Sequence, residues 1–387
     1  MSTSITRRSA ITGAFALLAA GALTACSTSG ASTSGSSSAA SSGTAAAGSG
    51  WTSISGSSPK LTALSSAVKN KFAQATYVDA RTGDSLPYNV YLPEGYDTSK
   101  TYPLVLYIAD SSLVGQEVTA PLSQYGALIW ASEYQQGKQK SIVVVPEYPE
   151  TILDDHGSFT TTEYVEMTAR FVAAMKKKYS VDPSRVYGTG QSMGCMTVMY
   201  LAAKYPTLFT AELFVSGQWD ASVLGKLADQ KFVYFAAGGD ANSTGGQADV
   251  EKILKKAGVK YGTATLDATA SRTKQESTMS TLIADGDTAN FATFKTGSVL
   301  KVSGSSSTSA MGSGGQPGGS TAPPMGGSTS GPSMPAGSTS APSMPAGGAS
   351  GSTSASSMGS SSEHLASFQP AYKIAATRDW LFQQVAS

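Results

Sequence analysis

One serine of this sequence stands where a nucleophile would be useful. Ser192 is flanked by Gly190 and Gly194 in a Gly-x-Ser-x-Gly motif. An apolar run typical of a buried strand precedes the motif, and a helical pattern follows it at once. A sharp strand-to-helix turn brings the backbone close on both sides of the serine, so a Cβ atom at either glycine would clash. The turn would expose the hydroxyl beside helix N-terminal amides, where the Met193 N–H could stabilise an oxyanion.

A serine hydroxyl needs a base before it can attack a carbonyl carbon. In chains with this motif the acid and the histidine follow the serine, and His364 is the histidine downstream of Ser192. We therefore predict His364 as the base, in a loop that enters the last helix. Asp240, directly after the apolar run 231–237, is the predicted acid, which would accept the His364 N–H and fix the tautomer of the ring. Asp220, after the preceding strand, is the alternative acid.

The elements that must position these residues alternate along the chain. Short apolar runs indicate buried strands, and apolar residues three and four positions apart indicate helices between them. The alternation predicts an α/β fold, a mostly parallel sheet with helices on both faces, preceded by an antiparallel hairpin around 81–84. The predicted strands are Tyr102–Ala109, Ser141–Pro146, Arg185–Gly190, Thr210–Ser216 and Lys231–Ala237, and the predicted helices are Glu163–Lys178, Met193–Lys204, Ala248–Ala257 and Pro370–Val385.

Residues 1–26 have the features of an export signal. Arg7 and Arg8 precede a weakly apolar run that is short for a membrane span and ends in Leu-Thr-Ala-Cys26. This ending resembles the lipobox of bacterial lipoproteins, in which the cysteine is acylated, and the paired arginines resemble a twin-arginine signal. We expect Cys26 to be lipidated, and the protein to be exported and anchored to the outer face of a bacterial cell membrane. A plain signal peptide or an uncleaved anchor is the alternative.

Two stretches of low complexity lie outside the predicted core. Residues 27–59 are rich in Ser, Thr, Gly and Ala and should form a flexible tether. Residues 303–362, rich in Ser, Gly, Pro and Met, should form a disordered insert. The ranges 60–302 and 363–387 should then fold as one interrupted domain.

The composition argues against several classes of partner. The formal net charge is +1, which leaves no basic field to hold polyanions, so nucleic acid is not an expected partner. With two cysteines and two histidines in the chain, no cysteine-rich metal site can be built. The methionines of the insert are widely spaced without a histidine, so we expect no metal site.

Four stretches carry a resemblance to a known family: Tyr88–Tyr96, Tyr102–Tyr107, Gly190–Gly194 and Ala376–Phe382. They resemble the prolyl-oligopeptidase-like esterases and predicted peptidases of the α/β-hydrolase superfamily. The resemblance extends over about 72–385 apart from the insert. It implies the α/β-hydrolase fold and a serine hydrolase that acts on a small-molecule ester or short peptide through an acyl-enzyme intermediate, without a cofactor.

The chain departs from these relatives after the strand Tyr102–Ala109. Relatives usually have a His-Gly pair there, whereas this chain continues with Asp110, Ser111 and Ser112. The Ser111 N–H can still supply a second oxyanion donor, because such a donor belongs to the main chain. The Asp110 carboxylate would repel a developing anion unless it turns away or meets a cationic group of the substrate in the pocket.

Two weaker candidates complete the predicted site. Trp219, just after a strand end, could form a wall of the pocket, with a core tryptophan as the alternative. His156 is expected to be a solvated loop residue, with a place at the pocket entrance as the alternative. The whole sequence predicts a membrane-anchored serine esterase. The alternatives are a serine peptidase with the same residues, and a non-catalytic surface-binding lipoprotein that keeps the hydrolase fold.

Overall fold

The structure, a computed structural model, describes residues 54–303 and 354–386, with side chains from residue 56 and, after the gap, from residue 362. The described strands are β1 (Ala73–Val78), β2 (Ser85–Tyr91), β3 (Tyr102–Ile108), β4 (Ile142–Pro146), β5 (Leu153–Asp154), β6 (Thr160–Thr161), β7 (Val181–Gln191), β8 (Ala211–Val215), β9 (Phe232–Ala237), β10 (Tyr261–Leu266) and β11 (Ala289–Phe294). The described helices are α1 (Ile54–Ser57), α2 (Leu61–Val68), α3 (Tyr125–Leu128), α4 (Glu133–Lys138), α5 (Glu163–Lys178), α6 (Met193–Lys204), α7 (Ala241–Ala257), α8 (Arg272–Ala284), α9 (Ser298–Ser303), α10 (Ser354–Lys373) and α11 (Ala375–Gln383).

Nine of these strands form one sheet, in the order β1-β2-β4-β3-β7-β8-β9-β11-β10. β1 and β2 form the predicted antiparallel hairpin, and β2 also pairs antiparallel with β4. The strands from β4 through β3 to β10 pair in parallel. β5 and β6 form a separate antiparallel pair. The predicted mostly parallel sheet of an α/β-hydrolase fold is therefore confirmed.

The sheet is covered on both faces because its central strands are apolar on both sides. Every residue of β3 and of β4 is buried. Alternate residues of β3 enter different clusters, since successive side chains of a strand point to opposite faces. Leu104 and Leu106 belong to the cluster that contains Phe171 of α5, and Val105 belongs to the cluster that contains Tyr372 of α10.

Helix α5 begins and ends where the sequence predicts. The Thr162 side chain accepts a hydrogen bond from the Tyr164 N–H at 3.3 Å and so caps the first turn. Glu163 and Glu166 lie in that turn and three lysines lie in the last one, which complements the helix dipole. No helix in the described part of the chain is both long enough and apolar enough to cross a membrane.

The predicted bounds of the C-terminal helix are wrong. Pro370 lies inside α10, and a second helix, α11, follows it. Proline has no N–H, so the carbonyl of Ala366 loses its partner in the helix. The Ser303 hydroxyl donates to this carbonyl at 3.4 Å, a contact from α9 that the sequence pattern does not reveal. His364 consequently lies within α10 and not in a loop that enters the last helix.

The domain is longer than its predicted boundaries. Arg378 Nη2 donates to the carbonyl of Ser57 at 2.6 Å, and the Ser58 hydroxyl donates to the carbonyl of Lys373 at 2.5 Å. Residues 54–59 therefore belong to the domain and not to the tether. Residues 354–362, assigned to the insert, are part of α10. The predicted signal and the rest of the tether and insert, 1–53 and 304–353, lie outside the described residues.

A carboxyl group is buried without a partner in the middle of the sheet. Glu212 of β8 is fully buried, and neither of its carboxyl oxygens has a hydrogen-bond partner among the described residues. Burial in apolar surroundings disfavours the charged form and raises the pKa of Glu212 well above its ordinary value. The folded state therefore favours the protonated side chain.

We expect Glu212 to make the free energy of unfolding fall as the pH rises above the ordinary glutamate pKa. Over that range the folded state keeps a proton that the unfolded state releases, until the folded-state pKa is passed. Glu212→Gln cannot ionise and should lose this part of the slope, which urea unfolding at about pH 5 and about pH 8 would measure. Parallel pH profiles of the variant and the wild type would contradict the expectation.

Candidate active site

The turn at Ser192 has the strained geometry that the glycine motif predicts. β7 passes directly into α6 through Ser192, which has φ 51° and ψ −118°. Non-glycine residues rarely adopt a positive φ. A Cβ atom at Gly190 would lie 2.4 Å from the carbonyl carbon of Gly194, and one at Gly194 would lie 2.0 Å from the carbonyl oxygen of Ile108. Glycine is therefore required on both sides of the serine.

The structure brings Ser192, His364 and Asp240 together. His364 Nε2 lies 2.9 Å from Ser192 Oγ, and His364 Nδ1 lies 2.6 Å from Asp240 Oδ2. A neutral ring that donates from Nδ1 to the carboxylate can accept the serine proton at Nε2. The three side chains thus form one hydrogen-bonded series that ends at the hydroxyl.

Asp240 is held as a charged group by its hydrogen bonds. Asp240 is 2% exposed, and its side chain accepts hydrogen bonds from the Ser243 hydroxyl at 2.5 Å and from the Ser243 N–H at 3.3 Å. Burial raises the pKa of Asp240, but the hydrogen bonds from His364 and Ser243 together outweigh burial and lower it below its ordinary value. Asp220, the alternative acid, accepts from Ser222 in its own turn and does not bond to the ring.

The two residues predicted to supply the oxyanion donors lie beside Ser192. Met193 and Ser111 both line the cavity into which the serine opens. An oxyanion formed at Ser192 could therefore accept from both.

The structure places Asp110 outside the pocket to which the sequence analysis assigns it. Asp110 is 5% exposed, and its carboxylate accepts from the Ser112 N–H at 3.0 Å and from Gln191 Nε2 at 2.8 Å. Gln124 Nε2 donates to the same carboxylate at 2.5 Å. Neutral donors from the neighbouring Ser112 and from the distant Gln124 and Gln191 hold this charge outside the cavity lining, so it does not oppose an oxyanion there.

Trp219 is also not a wall of the pocket. It is 5% exposed and packs with Phe159 and Tyr200, at ring-centroid distances of 5.1 and 6.1 Å. After β8 the chain leaves Gly217 and Gln218 beside the cavity, and the indole turns into the core. The alternative interpretation of Trp219, a core residue, is therefore the one that the structure supports.

The cavity at Ser192 has a volume of about 710 Å³. Sequence reasoning missed most of its lining, since these residues come from loops and helix starts that no motif marks. Among the missed residues are Thr151, Leu153, Met196, Gln218, Asn242 and Leu365. Lysine and arginine are absent from the described lining, whereas Asp154 and Asp155 contribute carboxylates.

His156 lies at the entrance of this cavity and is also solvated. Its side chain is 91% exposed, and Nδ1 lies 2.7 Å from Asp154 Oδ1. That hydrogen bond and the neighbouring carboxylates raise the pKa of His156. Asp154, Asp155 and His156 offer three ligand atoms within 4.8 Å of one another. Their own hydrogen bonds and exposure account for this arrangement, and we assign no metal site to it.

Comparisons with known proteins place this fold among the hydrolases. The chain is similar to the crystal structure of a thermostable esterase with a TM-score of 0.56 and 17% sequence identity, over 82% of this chain and 64% of that one. This likeness shows the fold, and the chain spans 64% of the length of that esterase. No match was found among curated proteins.

Two further structures are less similar. A feruloyl esterase module from Clostridium thermocellum in complex with sinapinate has a TM-score of 0.41 and 13% identity, over 58% of this chain and 80% of that one. Dipeptidyl peptidase 4 from Porphyromonas gingivalis has a TM-score of 0.37 and 14% identity, over 49% of this chain and 31% of that one. We base no argument on either.

The family model described as "Putative esterase" matches residues 80–292. The matched range exceeds half of the chain and contains Ser192 and Asp240, whereas His364 lies beyond it. With the α/β-hydrolase fold, this match shows that the chain belongs to the Esterase family of the α/β-hydrolase superfamily.

Proposed function

We propose that this protein is a serine ester hydrolase that cleaves carboxylic esters through an acyl-enzyme intermediate, with Ser192, His364 and Asp240 as its catalytic residues. The observation that carries the proposal is their hydrogen-bonded series, which ends at a strained serine in an open cavity. Membership of the Esterase family supports the same class of reaction.

In the first half of the reaction, Ser192 Oγ attacks the ester carbonyl carbon while His364 Nε2 takes the hydroxyl proton. The carbonyl oxygen becomes an oxyanion that accepts hydrogen bonds from the Met193 and Ser111 amides. The bond between carbon and the leaving oxygen then breaks, and His364 gives its proton to the alcohol. The acyl group stays on Ser192.

In the second half, water replaces the alcohol. His364 Nε2 takes a proton from the water, whose oxygen attacks the acyl carbon, and the bond to Ser192 Oγ breaks as the proton returns to the serine. Asp240 orients the ring and stabilises its cationic form in both halves. The products are the free acid and the restored enzyme.

The cavity favours small substrates without a negative charge. Its volume of about 710 Å³ suits a small-molecule ester or a short peptide segment. Asp154 and Asp155 line the cavity, and none of the described lining residues is a lysine or arginine that would offset their negative charge. An anionic group on the substrate would therefore be disfavoured beside these carboxylates.

We also propose that lipidated Cys26 holds the exported domain at the outer face of a bacterial cell membrane. The support comes from the sequence, in which Arg7 and Arg8, a short apolar run and Leu-Thr-Ala-Cys26 follow one another. Residues 27–53 would then form the tether between the membrane and the first helix of the domain. In this arrangement the enzyme meets substrates outside the cytoplasm.

We expect a fluorophosphonate probe to label the wild-type protein at Ser192 and to leave Ser192→Ala unlabelled. The probe reacts with a serine whose base is in place, so it reports the activated hydroxyl directly. Mass spectrometry of the labelled peptide identifies the site. A folded wild-type protein that stays unlabelled would favour the non-catalytic, surface-binding alternative.

The same preparation separates an esterase from a peptidase. Turnover of short-chain nitrophenyl esters is compared with turnover of short peptide amides, and Ser192→Ala sets the background for both. We expect the esters to be cleaved far more efficiently. Comparable efficiency on the amides would instead support a peptidase.

Asp240→Asn should lower kcat by roughly 10³- to 10⁴-fold, because the amide would favour the wrong tautomer of His364. Asp220→Asn is the matched control: it removes the charge of the alternative acid and should leave kcat close to the wild-type value. Steady-state kinetics on an ester measure both. A large loss in Asp220→Asn with little loss in Asp240→Asn would reverse the assignment.

Cys26→Ser should move the protein from the membrane fraction to the soluble extracytoplasmic fraction of a bacterial host. Serine cannot carry the thioether-linked lipid, and a lipid chain is the attachment that this proposal requires. Detergent phase partitioning and mass spectrometry of the N-terminal peptide are the measurements. An unmodified Cys26 in the wild-type protein would contradict lipid anchoring.

A further inference from the structure

The residue before His364 makes contacts that the proposed mechanism does not use. Glu363 is 5% exposed, and its Oε2 accepts from the Gly239 N–H at 3.1 Å. Its Oε1 accepts from the Gly297 N–H at 2.8 Å. Within the described residues this buried carboxylate is thus held by main-chain amides and not by a cation.

The bond between Glu363 and Gly239 lies next to the bond between His364 and Asp240 in sequence. Glu363 and His364 are neighbours on α10, and Gly239 and Asp240 are neighbours after β9. Each residue of the first pair bonds to one residue of the second pair. One hydrogen bond would let the ring pivot about Asp240, whereas two adjacent bonds fix both the position and the direction of the helix.

This carboxylate explains Gly239, and the end of β11 explains Gly238. A Cβ atom at Gly239 would lie 2.2 Å from Glu363 Oε1. A Cβ atom at Gly238 would lie 2.8 Å from the carbonyl oxygen of Phe294, at the end of β11. The loop that carries Asp240 therefore has no room for side chains where it meets α10 and β11.

The hydrogen bond from the Gly297 N–H to Glu363 joins the chain on both sides of residues 304–353. Gly297, with φ 74°, immediately precedes α9, the last described helix before that segment. Apolar residues of α10, among them Phe368 and Tyr372, pack in the core, but apolar packing is not directional. Hydrogen bonds from two strand-end loops supply the direction that apolar contacts lack.

We propose that Glu363 is a positioning residue that holds His364 in register with Asp240 and Ser192. This inference rests on the proposed function, because it concerns the same three residues. The carboxylate needs both oxygens, one for each loop. Glutamine keeps the length of the side chain but has only one acceptor oxygen. Its NH₂ group would therefore face one of the two main-chain N–H groups, and two donors cannot form a hydrogen bond.

Another glutamate of the same chain is a matched control. Glu276 accepts from the Ala375 N–H at 2.9 Å and from the Ala376 N–H at 2.8 Å, at the start of α11. Both carboxylates accept from two main-chain amides, although Glu276 also interacts with the charges of Arg272 and Arg378. Glu276 does not line the cavity or contact the three residues. Glu276→Gln therefore reports the structural cost of losing such a contact.

The experiment compares Glu363→Gln, Glu363→Ala and Glu276→Gln in the full chain, well below their melting temperatures. kcat is expressed per folded protein molecule, and KM is measured on the same ester. We expect kcat to fall by about 10- to 100-fold in Glu363→Gln with KM little changed, since misplacing a catalytic group by about 1 Å costs this much. Glu363→Ala should lose more, and Glu276→Gln should keep the wild-type kcat with a lower Tm.

Two results would overturn the inference. A wild-type kcat per folded molecule in Glu363→Gln would show that the contact serves stability alone, and an equal loss in Glu276→Gln would show that the effect is general. If Glu363→Ala fails to fold, Glu363→Gln still decides. Failure of the proposed function itself would look different, because the wild-type protein would then neither label nor turn over ester.

Discussion

The imidazole of His364 joins parts of the chain that are far apart in sequence. Ser192 lies 172 positions before it and Asp240 lies 124 positions before it, yet one ring bonds to both side chains. Both contacts depend on α10, which returns the chain to the carboxyl ends of β7 and β9 after residues 304–353. Every catalytic role that we propose requires this return to be placed within the length of a hydrogen bond.

The sheet around Ser192 stabilises the strained turn. A residue held at a positive φ costs on the order of 1–3 kcal/mol, which the surrounding structure must offset. The Ser192 N–H lies 3.1 Å from the carbonyl oxygens of both Val215 and Ser216, at the end of β8. The strands on either side of β7 are fully buried, so they leave the turn no room for a conformation of lower free energy. The hydroxyl is thereby fixed where the ring of His364 arrives.

The sequence predicts the parts of this protein whose signals are local. The bounds of α5 follow from apolar periodicity, and Ser192 follows from its glycines and the strand and helix around it. His364 could be singled out because histidine is so scarce downstream of the serine. No pattern predicted β10, whose small and polar residues are only partly buried along most of the strand.

The errors have one physical origin, which is contact between distant residues. The Asp110 carboxylate is held by Gln124 and Gln191 as well as by the neighbouring Ser112, and nothing near residue 110 reveals the two glutamines. The Ala366 carbonyl, which Pro370 leaves without a partner in its helix, lies 3.4 Å from the Ser303 hydroxyl of another helix. Glu363 carries no motif, and its role becomes visible only when α10 lies against the loops after β9 and β11.

The state of the His364 ring tests the account most directly. With two histidines in the chain, nitrogen-15 labelling of histidine allows each ring to be assigned by NMR, with His156→Ala identifying the other. The account predicts that neutral His364 carries its proton on Nδ1, in a strongly deshielded hydrogen bond that Asp240→Asn removes. A ring protonated on Nε2, with a spectrum that Asp240→Asn leaves unchanged, would contradict it.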